Sequence, residues 1–212
     1  MNLKGKKGLE GRENKWAFSH GFNMMVDFCI YVLEVDGLHV PPFDLHLEGN
    51  RTLRTRGCTA DDWRFWLAEV VALQDRHITT AHQKQTEVPP SLAGPRYNPP
   101  SVWVGPSAVR DYLTELWEMY GPVSNERREW EMRLAMKWAQ ELPNLWYDLK
   151  PYQTQLATLT IHLISYPKAV DYLVPPTSGI IAIVDGQLDS LTFRNRVLRV
   201  AESLAANSDN RT

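Results

Sequence analysis

FDLHLEGNRTLRTR, running from Phe43 to Arg56, alternates apolar and polar side chains on either side of a Gly49-Asn50 turn signal. Phe43, Leu45 and Leu47 interleave with Asp44, His46 and Glu48, the period of a strand with one buried face. A two-residue loop sets Leu45 opposite Arg54 and mixes polarity on both faces, which disfavours that register. With Gly49 to Arg51 as a three-residue loop, Leu47 meets Leu53 on one face, while Asp44 meets Arg56 and His46 meets Arg54 on the other. Each opposite-charge pair of this kind contributes roughly 0.2–1 kcal/mol. The pattern therefore predicts a β-hairpin. Its outer face is either a polar site or the solvated, salt-bridged face that half-exposed sheets carry.

Working outward, WAFSHGFNMMVDFCIYVLEV (Trp16–Val35) reads as one helix, apolar over most of its circumference. His20, Asn23, Asp27, Tyr31 and Glu34 form a narrow polar stripe along it. Gly37 and Pro41-Pro42 end it. Thr59 is a cap for a second helix with Asp61 and Asp62 in its first turn and Trp63, Trp66, Leu67, Val70 and Val71 as its apolar stripe. Residues 1–14, rich in Lys, Gly and Glu, read as a flexible basic arm, and residues 15–85 as a helix–hairpin–helix region.

Six of the 14 prolines fall between Thr86 and Pro106, so residues 86–106 form a proline-rich strap that cannot be helical throughout. It serves either as a partner-docking segment or as a cover over the protein's own core, the latter favoured by the apolar run Val102-Trp103-Val104. Residues 107–206 are expected to be helical. Ser107 to Tyr120 stops at Gly121-Pro122, and a second helix spaced by Trp130, Leu134, Trp138 and Leu142 follows, giving a helical hairpin. Residues 151–164 carry helical and alternating patterns together, and Pro151 at a helix start tips the reading to helix. Residues 179–184 fit a strand or a buried helix end equally. Ser190 to Ala206 closes the fold as a helix, and residues 207–212 are a frayed tail. The expected architecture is mainly α, a helical bundle-like protein with one small hairpin in its N-terminal third.

Composition sets limits on function. The 212-residue chain carries 23 basic and 25 acidic residues, a formal net charge of −2, so there is no global attraction to nucleic acid or to an anionic membrane. Two cysteines are too few for a disulfide framework, and no apolar run approaches the roughly 20 residues that span a bilayer. A cytoplasmic location with no membrane association follows as the expectation.

None of the phosphate-binding, nucleophile-elbow or His-Glu-x-x-His motifs occurs, so no catalytic residues and no cofactor are assigned. His77 and His82 lie about 140° apart on a helix, too far round to share one ion from one face. Three sets of candidates remain. Arg51, Arg54 and Arg56 could contact phosphate. Arg96, Tyr97, Trp103, Trp146 and Tyr147 could contact a protein partner if exposed. Asp44, His46 and Glu48 could ligate a metal or serve acid–base chemistry. The order of helix, Gly37-Leu38, Pro41-Pro42, hairpin and Thr-capped acidic helix is similar to the wing region of MerR-type regulators over about 40 residues. It departs from that pattern in lacking a recognition helix with basic or amide residues, and no family is assigned. The leading expectation is a non-catalytic cytosolic interaction or accessory subunit, with a nucleic-acid-binding regulator and a metal-dependent hydrolase as alternatives.

Overall fold

A computed structural model describes residues 17–43, 52–83, 98–141, 144–156, 158–184 and 189–209. Its centre is a four-stranded mixed sheet, which overturns the expectation of a mainly α, all-helical bundle with a single hairpin. In chain order the elements are β1 (Ala17–Phe22), α1 (Met24–Asp36), α2 (Thr52–Thr55), α3 (Ala60–Gln83), α4 (Ser107–Glu141), α5 (Leu145–Asp148), β2 (Thr158–Ser165), β3 (Val170–Val174), β4 (Ser178–Ile183) and α6 (Ser190–Asp209). The strands lie in the order β1-β2-β4-β3, with β1, β2 and β4 parallel and β3 antiparallel to β4 at the edge.

The predicted hairpin is the first correction. Residues 44–51 lie outside the described residues, but Thr52–Thr55, assigned to its second strand, are helical. Asp36, buried at the end of α1, caps that turn by accepting the Leu53 N–H on Oδ1 and Oδ2 at 3.2 and 3.0 Å. A carboxylate at a helix N-terminus satisfies donors that a strand would have sent to its neighbour.

Within Trp16–Val35 the single predicted helix is in fact a strand and a helix. Asn23 divides them: its backbone is extended and its Oδ1 accepts from the N–H groups of Met25 (3.0 Å) and Val26 (3.3 Å), an N-cap in mid-run. Ahead of it, AFSHGF pairs with β2 from Ala17↔Thr158 to Phe22↔Leu163. Gly37, at φ 64°, ends α1 in the left-handed region and returns its N–H to the Leu33 carbonyl at 3.0 Å.

The helical hairpin at Gly121-Pro122 is likewise corrected. α4 continues through Pro122 for 35 residues, a length of about 52 Å at 1.5 Å per residue. Gly121 and Pro122 are exposed, so the ring stands on the solvent side while Val109, Leu113, Leu116 and Tyr120 keep the inner face continuous. Residues 158–165, expected in a helix, form β2, and residues 178–183 form β4; the two pair in parallel from Thr160↔Ser178 to Ser165↔Ile183.

The sheet separates two cores. On one face Ile164, Val170, Val174, Ile180 and Ala182 meet α1, α3 and the first half of α4. On the other, Leu159, Ile161, Leu163, Ile181 and Ile183 meet α6 through Phe193, Val197, Val200 and Leu204, joined by Leu134 of α4 and by Leu145 and Leu149 around α5. Gly179 is required there, because a Cβ at that position would collide with the Val200 side chain. Among the described residues no helix is long and apolar enough to cross a membrane.

Candidate interaction surface

The start of α3 is built as a reciprocal cap. Thr59 Oγ1 accepts the Asp62 N–H at 3.2 Å, and Asp62 Oδ2 accepts both the Thr59 N–H at 2.9 Å and the Thr59 hydroxyl at 2.6 Å. These bonds, the hydroxyl foremost, hold the Asp62 carboxyl below the usual carboxylate range. From there α3 sends Trp63 and Trp66 inward, where Trp63 Nε1 donates to the Cys29 carbonyl at 3.0 Å. Phe65, between them, points outward and is 56% exposed.

Residues 98–106 lie against this helix. Asn98 caps a short 3₁₀ turn, Pro99–Val102, whose Pro99 carbonyl accepts from Trp66 Nε1 at 2.8 Å. Trp103 is buried, meets Trp66 edge to face at 6.0 Å, and donates its indole N–H to the Pro106 carbonyl at 3.1 Å. Arg110 Nη2 donates to the Trp103 carbonyl at 2.7 Å. Gly105 fits because its missing side chain leaves room for the Trp103 ring, 2.5 Å from where a Cβ would stand. Val104 is pushed outward and is 74% exposed. Asp62, Phe65, Trp66, Trp103, Val104 and Gly105 thereby line a recess of about 170 Å³.

Four described side chains with catalytic chemistry, Ser178, His162, Asp75 and Asp27, are engaged inside the fold. Ser178 is 0% exposed and donates to Asp75 Oδ2, while Nε2 of His162, 2% exposed, lies 3.6 Å from Asp75 Oδ1. Asp75 thus stands between serine and histidine, the reverse of a nucleophile triad, in which histidine must take the serine proton. The trio ties the far half of α3 to the sheet, beside a Ser19-to-Thr160 hydroxyl contact at 3.5 Å. Asp27 is fully buried, not on a wet stripe, and accepts from Tyr120 Oη at 2.5 Å. Burial, and then the charge of Asp27, pushes the Cys29 thiol well up; burial, with Asp62 and Asp36 nearby, pushes that of Cys58 up to about 12. Neither thiol is poised as a nucleophile.

The candidates read from sequence do not converge. Asp44, His46, Glu48, Arg51, Arg96 and Tyr97 lie outside the described residues. Arg54 is exposed on α2, whereas Arg56 donates from Nη1 to the Ala108 carbonyl at 2.8 Å and stands 5.2 Å over the Tyr112 ring. With α2 helical, neither arginine sits in the cross-strand pairing expected of it, and the similarity to a MerR-type wing loses its hairpin. His20 and His162 lie on opposite faces of the sheet, and among the described residues no three His, Cys, Asp or Glu are placed to hold a metal ion.

Trp103 belongs to the recess floor, while Trp146 and Tyr147 are exposed on α5, which is rooted in the other core by Leu145 and Leu149. Phe65, Val104 and Asp62 were not among the contact residues expected from sequence, where Val104 was read as part of a cover over the core and Asp62 as a first-turn acid of its helix. A signal for Phe65 was available, since it falls outside the stripe of Trp63, Trp66, Leu67 and Val70 and so had to face water. Comparison with protein-family models, curated proteins and solved structures finds no significant match.

Proposed function

We propose that the protein is a non-catalytic subunit of a cytoplasmic protein assembly and that it docks through the recess between α3 and residues 103–105. The observation that carries this reading is the outward stance of Phe65 and Val104 over a floor whose two indole N–H groups are already bonded internally. An apolar recess with an exposed apolar rim gains free energy by being covered, roughly 25 cal/mol for each Å² of apolar surface removed from water. The inward use of Ser178, His162, Asp75 and Asp27 supports the absence of a catalytic role.

The test places a photo-crosslinking amino acid at position 65, 104 or 202 in cells that carry the protein natively. The expected result is one and the same protein adduct from positions 65 and 104 and none from Glu202, which is exposed on α6. Absence of a common adduct from 65 and 104 would contradict the proposal.

A further inference from the structure

We infer that the recess recognises a peptide segment presenting an apolar side chain next to a lysine or arginine, the apolar group entering between Phe65 and Val104 and the cation meeting Asp62. This rests on the docking reading above and names the partner's chemistry. The lining supplies one charged group among aromatic and aliphatic ones. Both indole N–H groups of the floor are already engaged, that of Trp66 with the Pro99 carbonyl and that of Trp103 with the Pro106 carbonyl, and the charged group left to meet a ligand is the Asp62 carboxylate.

The neighbouring Asp61 is paired with Arg64, Oδ1 to Nη1 at 2.7 Å, and is not part of the lining. Asp62 is part of it, and since both of its bonds to Thr59 fall on Oδ2, its Oδ1 can still accept from a cation. An anionic rim of this kind selects cations and repels acidic flanks, contributing more to choice of partner than to raw affinity. At about 170 Å³ the recess takes a single anchoring side chain, which suits an extended or helical segment.

The experiment is a display selection of random heptapeptides on the immobilised full-length protein, with counter-selection on Val104→Glu and titration of the recovered peptides by fluorescence anisotropy. Val104 is exposed and Asn can still accept at position 62, so Val104→Glu and Asp62→Asn are both expected to keep the wild-type melting curve, checked by circular dichroism. Expected are peptides with an apolar residue adjacent to Lys or Arg, binding that weakens with salt, a loss of about threefold for Asp62→Asn, and a loss of about tenfold or more for Val104→Glu. Peptides that Val104→Glu rejects but that carry no cation, or that bind Asp62→Asn like wild type, would overturn this inference and leave the docking reading standing. No enrichment over Val104→Glu would overturn both. Self-association in sedimentation that Val104→Glu abolishes would overturn the inference by making a second copy the occupant.

Discussion

The two faces of the sheet are held by different physics. Toward α1, α3 and α4 the packing is threaded with directional bonds: Trp63 to the Cys29 carbonyl, Trp66 to the Pro99 carbonyl, Tyr120 to Asp27, Tyr166 to the Phe43 carbonyl, and Ser178 to Asp75. Toward α6 the contact is almost wholly aliphatic, with Phe193 added. Its polar ties are those of three α6 arginines: Arg196 to Asp171 and to the carbonyls of Ala182 and Val170, Arg199 to Asp171, and Arg194 to Asp148. Chain distance does not separate them, since Tyr166 reaches the Phe43 carbonyl across 123 residues on the first face and the ring of Phe193 meets that of His20 at 5.6 Å on the second. What differs is the means: directional bonds select among arrangements on the first face, apolar shape on the second. A polar error should therefore damage the first face, and a volume error the second.

The largest effect is expected from volume. Phe193→Ala, at a fully buried site of the aliphatic face, should lower stability by about 3–5 kcal/mol in urea unfolding. Gly179→Ala should cost about 1–3 kcal/mol through its collision with Val200. Adding Val200→Ala should return part of that loss, whereas two independent cavities or strains would simply add.

On the other face, Asp27→Asn, Tyr120→Phe and the pair form a double-mutant cycle. A coupling of about 0.5–3 kcal/mol is expected from their 2.5 Å bond, and additivity would break the comparison.

The smallest effect concerns pH. Burial raises the Asp36 carboxyl above 3.8, while the Leu53 N–H pulls the other way. Below 3.8 the group is neutral folded and unfolded. As pH rises through the window up to its raised folded value, the unfolded chain ionises first, so wild-type stability should fall relative to Asp36→Asn and then run parallel above it. Melting temperatures of the two proteins across pH 3 to 7 read this directly, and a constant difference would contradict it.

Much of the helical framework was legible from sequence: α3 with its Thr59 cap, the start of α4, α6, and the stop at Gly37 all follow from local signals. The sheet was not, for a physical reason that its strands share. β2, TLTIHLIS, carries Thr160 and His162 on one side and reads as half-wet, yet both are buried, Thr160 beside Ser19 of β1 and His162 with its Nε2 3.6 Å from Asp75 Oδ1. The parallel pairing of β1 with β2 spans some 140 residues and leaves no short-range turn to betray it. The one tight antiparallel connection in the sheet, the turn at 175–177 between β3 and β4, went unread, while the apparent hairpin at Phe43–Arg56 drew the strand assignment to itself. At the surface, the reading looked for chemistry in charged clusters and passed over Phe65, which lies off the apolar stripe of its helix; Val104, taken with Val102 and Trp103 as cover over the core, is instead exposed while Trp103 alone is buried.

The most direct measurement asks whether Ser178 is a tie or a nucleophile. The full-length protein is treated with a fluorophosphonate and its intact mass read. An internal tie between β4 and α3 predicts no adduct at Ser178. A stoichiometric adduct at Ser178, abolished by His162→Asn, would contradict the account and make the buried trio an active site.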